Sequence, residues 1–254
     1  MYPFIHIFGR TVGTYGLCML LGFALVFFLA WRKGRKTGVL IEDMYIMTAF
    51  VLGFAALFGG LLYAFVTFTP AQIWALMKAG DFSFMGGIVF YGGLIGGIIG
   101  ALLGIKVAKC KFEPMAAAVV PFIPLGHAIG RVGCVMAGCC HGFAYDGPLA
   151  LYYPHSVLGL SPDQGYFPVQ PLESLINCLI CLFLLWYGKK VKRVSKLLFA
   201  YLGLYAISRF FLEMLRGDAI RGLWYALSTS QIISLVLLGV SVAGMLWKSK
   251  AKTE

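Results

Sequence analysis

The densest group of chemically active side chains lies between Pro121 and Gly142, in the sequence PFIPLGHAIGRVGCVMAGCCHG. An arginine at position 131, shortly after an apolar run, would cost roughly 2.5–3.5 kcal/mol if it faced lipid. We therefore expect Arg131 to face protein, water or an anionic ligand. The titratable and thiol-bearing residues of this stretch are His127, Arg131, Cys134, Cys139, Cys140 and His141.

A second charged cluster lies in the sequence SRFFLEMLRGD. Arg209 and Glu213 are four residues apart and Arg216 is seven from Arg209, so all three share one face of a helix. An ion-paired helix end would explain them, but three charges at the edge of a bilayer also indicate a functional site. Two guanidinium groups, Arg131 and Arg209, suit a phosphate, and Glu213 could hold one of them in place. A phospholipid headgroup is the anion most available there.

The composition predicts the elements that position these groups. Of 254 residues, 60% are hydrophobic and the mean hydropathy is +0.86, which is far from the globular norm of about 45–50% apolar residues. Windows of roughly 20 apolar residues can each cross a bilayer. We predict one all-α transmembrane domain over residues 1–254 with seven helices, at about Thr11–Trp31, Tyr45–Val66, Phe84–Val107, Met115–Val135, 172–188, Leu197–Leu215 and Ser228–Trp247.

The net charge of +11 reflects membrane topology and does not indicate nucleic-acid binding, because the basic residues occur in bursts between apolar segments. Other loops hold only Arg10, Lys78, Arg216 and Arg221. By the positive-inside rule the bursts are cytoplasmic, which places the N-terminus outside and the C-terminus in the cytoplasm. The bursts are Arg32, Lys33, Arg35, Lys36, Lys106, Lys109, Lys111, Lys189, Lys190, Lys192, Arg193, Lys196, Lys248, Lys250 and Lys252.

Three segments have their own local signals. Pro121 and Pro124 predict a kinked or broken fourth helix. Residues 136–171 contain no lysine or arginine, and we expect them to form a small periplasmic head between helices 4 and 5, partly ordered and with short helices. Glycine every four residues in the third helix predicts close helix packing or a pocket, at Gly92, Gly96, Gly100 and Gly104. The topology also places Tyr15, Tyr91, Gln170 and Glu173 toward the outer leaflet with both charged clusters.

The sequence GHAIGRVGCVMAGCCHG resembles the signature of the prolipoprotein diacylglyceryl transferase family. The similarity extends along most of the chain, through Tyr15-Gly16, the FYGGLIGG segment, FPVQPLE, RFFLEMLR and STSQIISL. Proteins of this family act in the bacterial inner membrane. They transfer the diacylglyceryl group of phosphatidylglycerol to the lipobox cysteine of a prolipoprotein, with glycerol phosphate as the leaving group.

The resemblance implies that Arg131 and Arg209 bind the lipid phosphate and that Glu213, Arg216 and Gly142 belong to the same site. We also assign Tyr15 and Gln170 to substrate binding and Tyr91 to catalysis. The chain departs from the family pattern at Tyr91, where a histidine is usual, and a phenol is a poor base at neutral pH. His127, one turn before Arg131, is our preferred general base, with His141 as the alternative.

The cysteines leave several interpretations open. Cys134, Cys139 and Cys140 replace other residues of the signature, and they could form a disulfide, carry lipid transiently or ligate a soft metal. We expect no metal and no cofactor. The expected partners are phosphatidylglycerol, prolipoprotein signal peptides and the bilayer. The rival hypothesis is a lipid or small-anion transporter, or a thiol-redox membrane protein, built on the same scaffold.

Overall fold

The computed structural model describes residues 2–7, 9–87, 89–191, 193–217, 223–224 and 227–247. Seven helical stretches among them are long and apolar enough to cross a membrane, which confirms the predicted seven-span helical class. The α-helices of these residues are α1 (Thr14–Gly34), α2 (Ile41–Thr67), α3 (Pro70–Lys78), α4 (Phe90–Val107), α5 (Phe112–Val119), α6 (Ile123–Ala137), α7 (Val169–Tyr187), α8 (Val194–Glu213) and α9 (Thr229–Leu246).

The fourth span is broken where the two prolines predict it. Helix α5 passes through a 3-10 turn, Val120–Phe122, before α6 begins at Ile123. Proline has no N–H to donate and its ring clashes with the preceding turn, so Pro121 and Pro124 cannot sit inside one regular helix. The break sets the direction of α6, the helix that carries His127 and Arg131.

Three local structures were not predicted from the sequence. The segment after α2 forms helix α3, because Thr69 and Gln72 build a capping box and Pro70 occupies the first helical position. At the N-terminus, strands β1 (Phe4–Ile7) and β2 (Arg10–Gly13) form an antiparallel hairpin. A second short pair, β3 (Leu223–Trp224) and β4 (Leu227–Ser228), precedes α9.

The short helices expected in the head are absent. Residues 138–168, all of which the structure describes, contain turns and isolated bridges but no helix. Left-handed backbone conformations at Gly138, Cys140, Leu149 and Gly159 interrupt any helical run. Instead Tyr166 pairs with both Ala144 and Leu151, so the head is held by bridges between distant parts of the same segment.

Two compact units can be distinguished, residues 1–30 with 116–254, and residues 31–115. In the second unit α4 packs against α2 through the predicted glycine repeat. A side chain at Gly92, Gly96 or Gly100 would overlap a backbone carbonyl of α2. Small residues at this spacing permit the close approach, so the packing interpretation of the repeat is confirmed.

In the first unit an apolar cluster joins α5, α7 and α8. Leu184 and Leu197 are almost fully buried at its centre, and Ala116, Val120, Ile180 and Ala200 complete it. Serine hydroxyls tie neighbouring helices together, because Ser174 donates to Ala128 O at 3.0 Å and Ser241 donates to Phe199 O at 2.7 Å. This packing holds α6, α7, α8 and α9 in one block.

The predicted orientation and the assignment of residues 1–254 to a single domain stay predictions. Five of the basic residues used for the topology lie outside the described residues, namely Lys192, Arg221, Lys248, Lys250 and Lys252.

Candidate active site

The first half of the site joins α6 to the second turn of α7. Arg131 Nη2 lies 3.0 Å from Glu173 Oε1, and Arg131 Nε donates to His127 Nε2 at 3.2 Å. His127 Nε2 also lies 3.4 Å from Glu173 Oε1. Nε2 cannot both accept from the arginine and donate to the carboxylate, and a guanidinium N–H is always a donor. We therefore assign Nε2 as the acceptor, with the ring proton on Nδ1.

Glu173 belongs to the site, but sequence reasoning did not assign it a role there. It was placed toward the outer leaflet but was not included among the site residues. The structure buries it at 2% exposure and gives it contacts with both Arg131 and His127. The available signal was an acid in the first turns of an apolar helix, since an ionisable group at that depth indicates a functional role by default.

The second half of the site joins the end of α8 to the start of α9. Arg209 Nη2 lies 2.6 Å from Glu213 Oε2, four residues on, and donates to Ser230 Oγ at 3.2 Å. Ser228 donates to Glu213 Oε1 at 3.1 Å and also caps α9 through a capping box with Gln231. Ser228 therefore caps α9 and also positions the carboxylate that holds Arg209.

The two terminal nitrogens of Arg209 have different surroundings. Its Nη1 is buried and forms no hydrogen bond within the part of the chain that the structure describes. A buried charged donor left unpaired costs more than an ordinary lost hydrogen bond. Such a group is suited to a bound anion.

The two halves lie within electrostatic reach of each other. Glu173 and His127 both interact with the charge of Arg209, and Arg216 interacts with Arg131 and Arg209. Among the described residues of the site, three guanidinium groups are set against two carboxylates, which leaves one positive charge in excess. At this site a singly charged phosphodiester would be electrostatically favoured.

Backbone hydrogen bonds join the signature to the end of α8. Phe143 N donates to Leu215 O at 3.2 Å, Gly217 N donates to His141 O at 3.1 Å, and Gly142 pairs with Arg216. A side chain at Gly142 would overlap Phe167 O and crowd Leu215 O. Position 142 therefore requires glycine, because two backbone segments approach closely there. This close approach positions Arg216 next to the signature.

The cysteines gather at the end of α6. Gly138 adopts a left-handed conformation, and Cys139 N donates back to Cys134 O at 3.1 Å, which completes a Schellman motif. The sulfur atoms of Cys134, Cys139 and Cys140 all lie within 4.8 Å of one another. The Cys140 thiolate would accept hydrogen bonds from Cys134 and Cys139, and this lowers the pKa of Cys140 far below its usual range.

Other predicted site residues have different surroundings. Gln170 is fully buried, accepts from Tyr153 and donates to Cys139 O at 2.9 Å. Burial raises the pKa of Tyr153 to about 12, so this phenol stays a donor. His141 packs edge-on to Tyr166 with its Nδ1 2.8 Å from Gly142 O. These placements favour structural roles for Gln170 and His141.

The two predicted tyrosines lie at helix starts. Tyr15, in the first turn of α1, packs beside Gly133 of α6 and is within electrostatic reach of Arg131. Tyr91 lies in the first turn of α4, within the unit of residues 31–115, and is 40% exposed. A role for either tyrosine in the reaction stays a prediction.

The fold and the site together define a class, a multi-pass helical membrane protein with a buried cluster of arginines and carboxylates. The particular family follows from comparison with known proteins. A family model for prolipoprotein diacylglyceryl transferase matches residues 3–247. The chain belongs to this family, and the predicted resemblance is confirmed.

Individual relatives cover nearly the whole chain. The phosphatidylglycerol–prolipoprotein diacylglyceryl transferase 2 of Clostridium perfringens (strain 13 / Type A) is 33% identical over 233 residues, which is 92% of this chain and 90% of the relative. The corresponding transferase of Clostridium tetani (strain Massachusetts / E88) is 31% identical over 93% of this chain and 94% of its own length. That of Pasteurella multocida (strain Pm70) is 31% identical over 94% and 89%.

Proposed function

We propose that this protein transfers the diacylglyceryl group of phosphatidylglycerol to the lipobox cysteine of prolipoproteins, in the bacterial inner membrane. The observation that carries the proposal is the arginine cluster. Among the described residues, one buried nitrogen of Arg209 has no hydrogen-bond partner, and Arg131 and Arg209 both lie within reach of Glu173. In a chain of this family, such a cluster is suited to the phosphate of an anionic lipid.

The reaction makes a thioether. The cysteine thiolate attacks the terminal glyceryl carbon, the carbon–oxygen bond to phosphate breaks, and glycerol phosphate leaves with the bonding electrons. Negative charge therefore grows on the departing phosphate. Fixed donors aimed at such charge typically contribute about 10²–10³ each in rate, and Arg131 and Arg209 are these donors.

The contacts of Arg131 couple lipid binding to base activation. Without lipid, its guanidinium is held by Glu173 and occupies the lone pair of His127 Nε2. When the phosphate engages Arg131, Nε2 is released to accept the thiol proton. The carboxylate of Glu173, 3.4 Å away, then stabilises the imidazolium that forms. An unperturbed thiol has a pKa of about 8.5, so a base is needed at neutral pH.

Complementation tests this function. A conditional strain that lacks its own transferase should grow when it expresses this protein, and should not grow when it expresses Arg131→Ala. Arg32→Ala is the matched control, because Arg32 lies in the last turn of α1 within a predicted cytoplasmic burst and should support growth. Failure of the native protein, expressed and inserted, would overturn the proposal.

The transporter hypothesis makes a different prediction. A transporter would move a labelled phosphatidylglycerol analogue across sealed vesicles without any acceptor peptide. The transferase releases glycerol phosphate only when a lipobox peptide is added. Peptide-independent movement with no thioether product would favour the transporter.

A further inference from the structure

We propose that Cys134, Cys139 and Cys140, brought together where α6 ends, form a binding site for one soft metal ion, for which monovalent copper fits best. Their three sulfur atoms lie within 4.8 Å of one another. Soft thiolate ligands select Cu(I) and zinc among the common metals. The transfer reaction proposed above uses none of these thiols, although Arg131 borders both sites.

Local backbone geometry builds this three-sulfur site. The Schellman motif at Gly138 folds Cys139 back over the last turn of α6, where Cys139 Sγ lies 3.8 Å from Cys134 O. Adjacent side chains normally diverge, which makes neighbouring cysteines an awkward ligand pair. Cys140 has a φ of 56°, a left-handed conformation uncommon outside glycine, and its sulfur lies on the same side as the other two.

The distances match a small thiophilic ion. A metal–sulfur bond of about 2.3 Å places the sulfurs of a trigonal site about 4 Å apart. The observed separations of up to 4.8 Å therefore need to contract by less than about 1 Å on binding. Side-chain rotation at the two half-buried cysteines, Cys139 and Cys140, can supply this change.

The number of ligands favours copper over zinc. Structural zinc sites are almost always four-coordinate, whereas this group supplies three donors among the described residues. His141 is the nearest histidine in sequence, but its ring nitrogens are not among the ligand atoms that lie within 4.8 Å of one another. Cu(I) accepts three thiolates in a plane, so no fourth ligand is needed.

Charge around the cluster supports an anionic metal complex. Three thiolates with one monovalent ion carry two negative charges. Arg131 Nη1 lies 4.0 Å from Cys134 Sγ, and both Arg131 and Arg216 act electrostatically on Cys140. Nearby cations lower the free energy of such a complex, and Cys134 is only 7% exposed, so water screens it weakly.

The experiment titrates Cu(I) into the purified, full-length, anaerobically reduced protein in the presence of a chromogenic Cu(I) chelator. We expect one copper per chain to be retained. Loss of a residue that only hydrogen-bonds a metal ligand typically costs about 10–100-fold in metal affinity. Cys140→Ser removes a ligand itself, so it should weaken binding by more than this. Cys110→Ser removes a thiol outside the cluster, so it is the matched control and should bind as the native chain does.

A second measurement on the native chain does not depend on how the variants fold. Cu(I) should protect Cys139 and Cys140 from alkylation by maleimide, read by mass spectrometry, and leave Cys110 reactive. If the reduced native chain retains no copper at equivalence, or if Cys110 is protected equally, the metal site is overturned. Retention of zinc with no retention of Cu(I) would overturn the choice of metal.

Discussion

Arg209 uses its two terminal nitrogens differently, and this division makes it hard to replace. One nitrogen contacts Glu213 and Ser230, and the other is buried and has no hydrogen-bond partner in the described part of the chain. A lysine has one compact ammonium, which Glu213 would attract, so no donor would remain for phosphate. We expect Arg209→Lys to lower kcat/KM by about 100-fold or more, measured with labelled phosphatidylglycerol and a lipobox peptide. Normal turnover, alongside an unaffected Arg32→Lys control, would show that a two-pronged donor is not required.

His127 has a role that a pH profile can test. If its Nε2 accepts the thiol proton after Arg131 moves to the phosphate, the rate falls toward low pH as the imidazole becomes protonated. His127→Gln keeps a side chain able to hydrogen-bond Arg131 but cannot act as a base. We expect kcat to fall by about 10²–10⁴ and the acidic limb of the profile to disappear. An unchanged acidic limb in His127→Gln would assign the base to another group.

At single residues, sequence patterns predicted pairs within one helix better than pairs between helices. The spacing of His127 to Arg131 and of Arg209 to Glu213 placed each pair on one face, and each pair is in contact. The partnership of Arg131 with Glu173 crosses two helices, and nothing in local spacing encodes it. The motif indicated that Gln170 binds substrate. In the structure, both the oxygen and the nitrogen of its side-chain amide form hydrogen bonds within the protein.

Among the elements, the start of α9 combines two functions that a matched pair of variants can separate. Ser228 caps α9 and also donates to Glu213, whereas Thr69 builds the same capping box on α3 and is hydrogen-bonded to the neutral Gln72. Loss of either cap should cost about 1 kcal/mol in stability, seen as a lower Tm in detergent. Only Ser228→Ala should also slow transfer, because Glu213 then holds Arg209 less firmly. Equal loss of activity in Thr69→Ala would assign the effect to general destabilisation.

Elements with signals in the local sequence were easier to predict than elements that depend on long-range contacts. Seven apolar runs and the prolines at 121 and 124 determined the spans and the break in the fourth. Helix α3 was missed although its capping box, Thr69 with Gln72, is a recognisable sequence signal. The structure of the head was harder to predict from sequence. Its bridges join Tyr166 to Ala144 and Leu151, and such pairings depend on contacts between residues far apart in the chain.

For the whole molecule, the motif resemblance identified the family correctly, and the structure shows how one distant connection is made. Backbone hydrogen bonds at Phe143 and Gly217 join the signature to the end of α8, more than 60 residues along the chain. Those bonds depend on glycine at position 142. Glycine in a motif predicts that the backbone makes a close approach there, but only the structure identifies its partner.

The orientation of the chain in the membrane can be measured with cysteine chemistry. The positive-inside rule places Cys110 in the cytoplasm and the head outside. A membrane-impermeant maleimide should therefore label Cys110 only in inside-out vesicles, and Asp163→Cys, an exposed head position, only in intact spheroplasts. Because burial raises the pKa of Cys110, less of it is thiolate at neutral pH, and labelling should speed up as the pH rises. The reverse pattern of labelling would place the arginine cluster at the cytoplasmic leaflet and contradict the topology on which the proposed site depends.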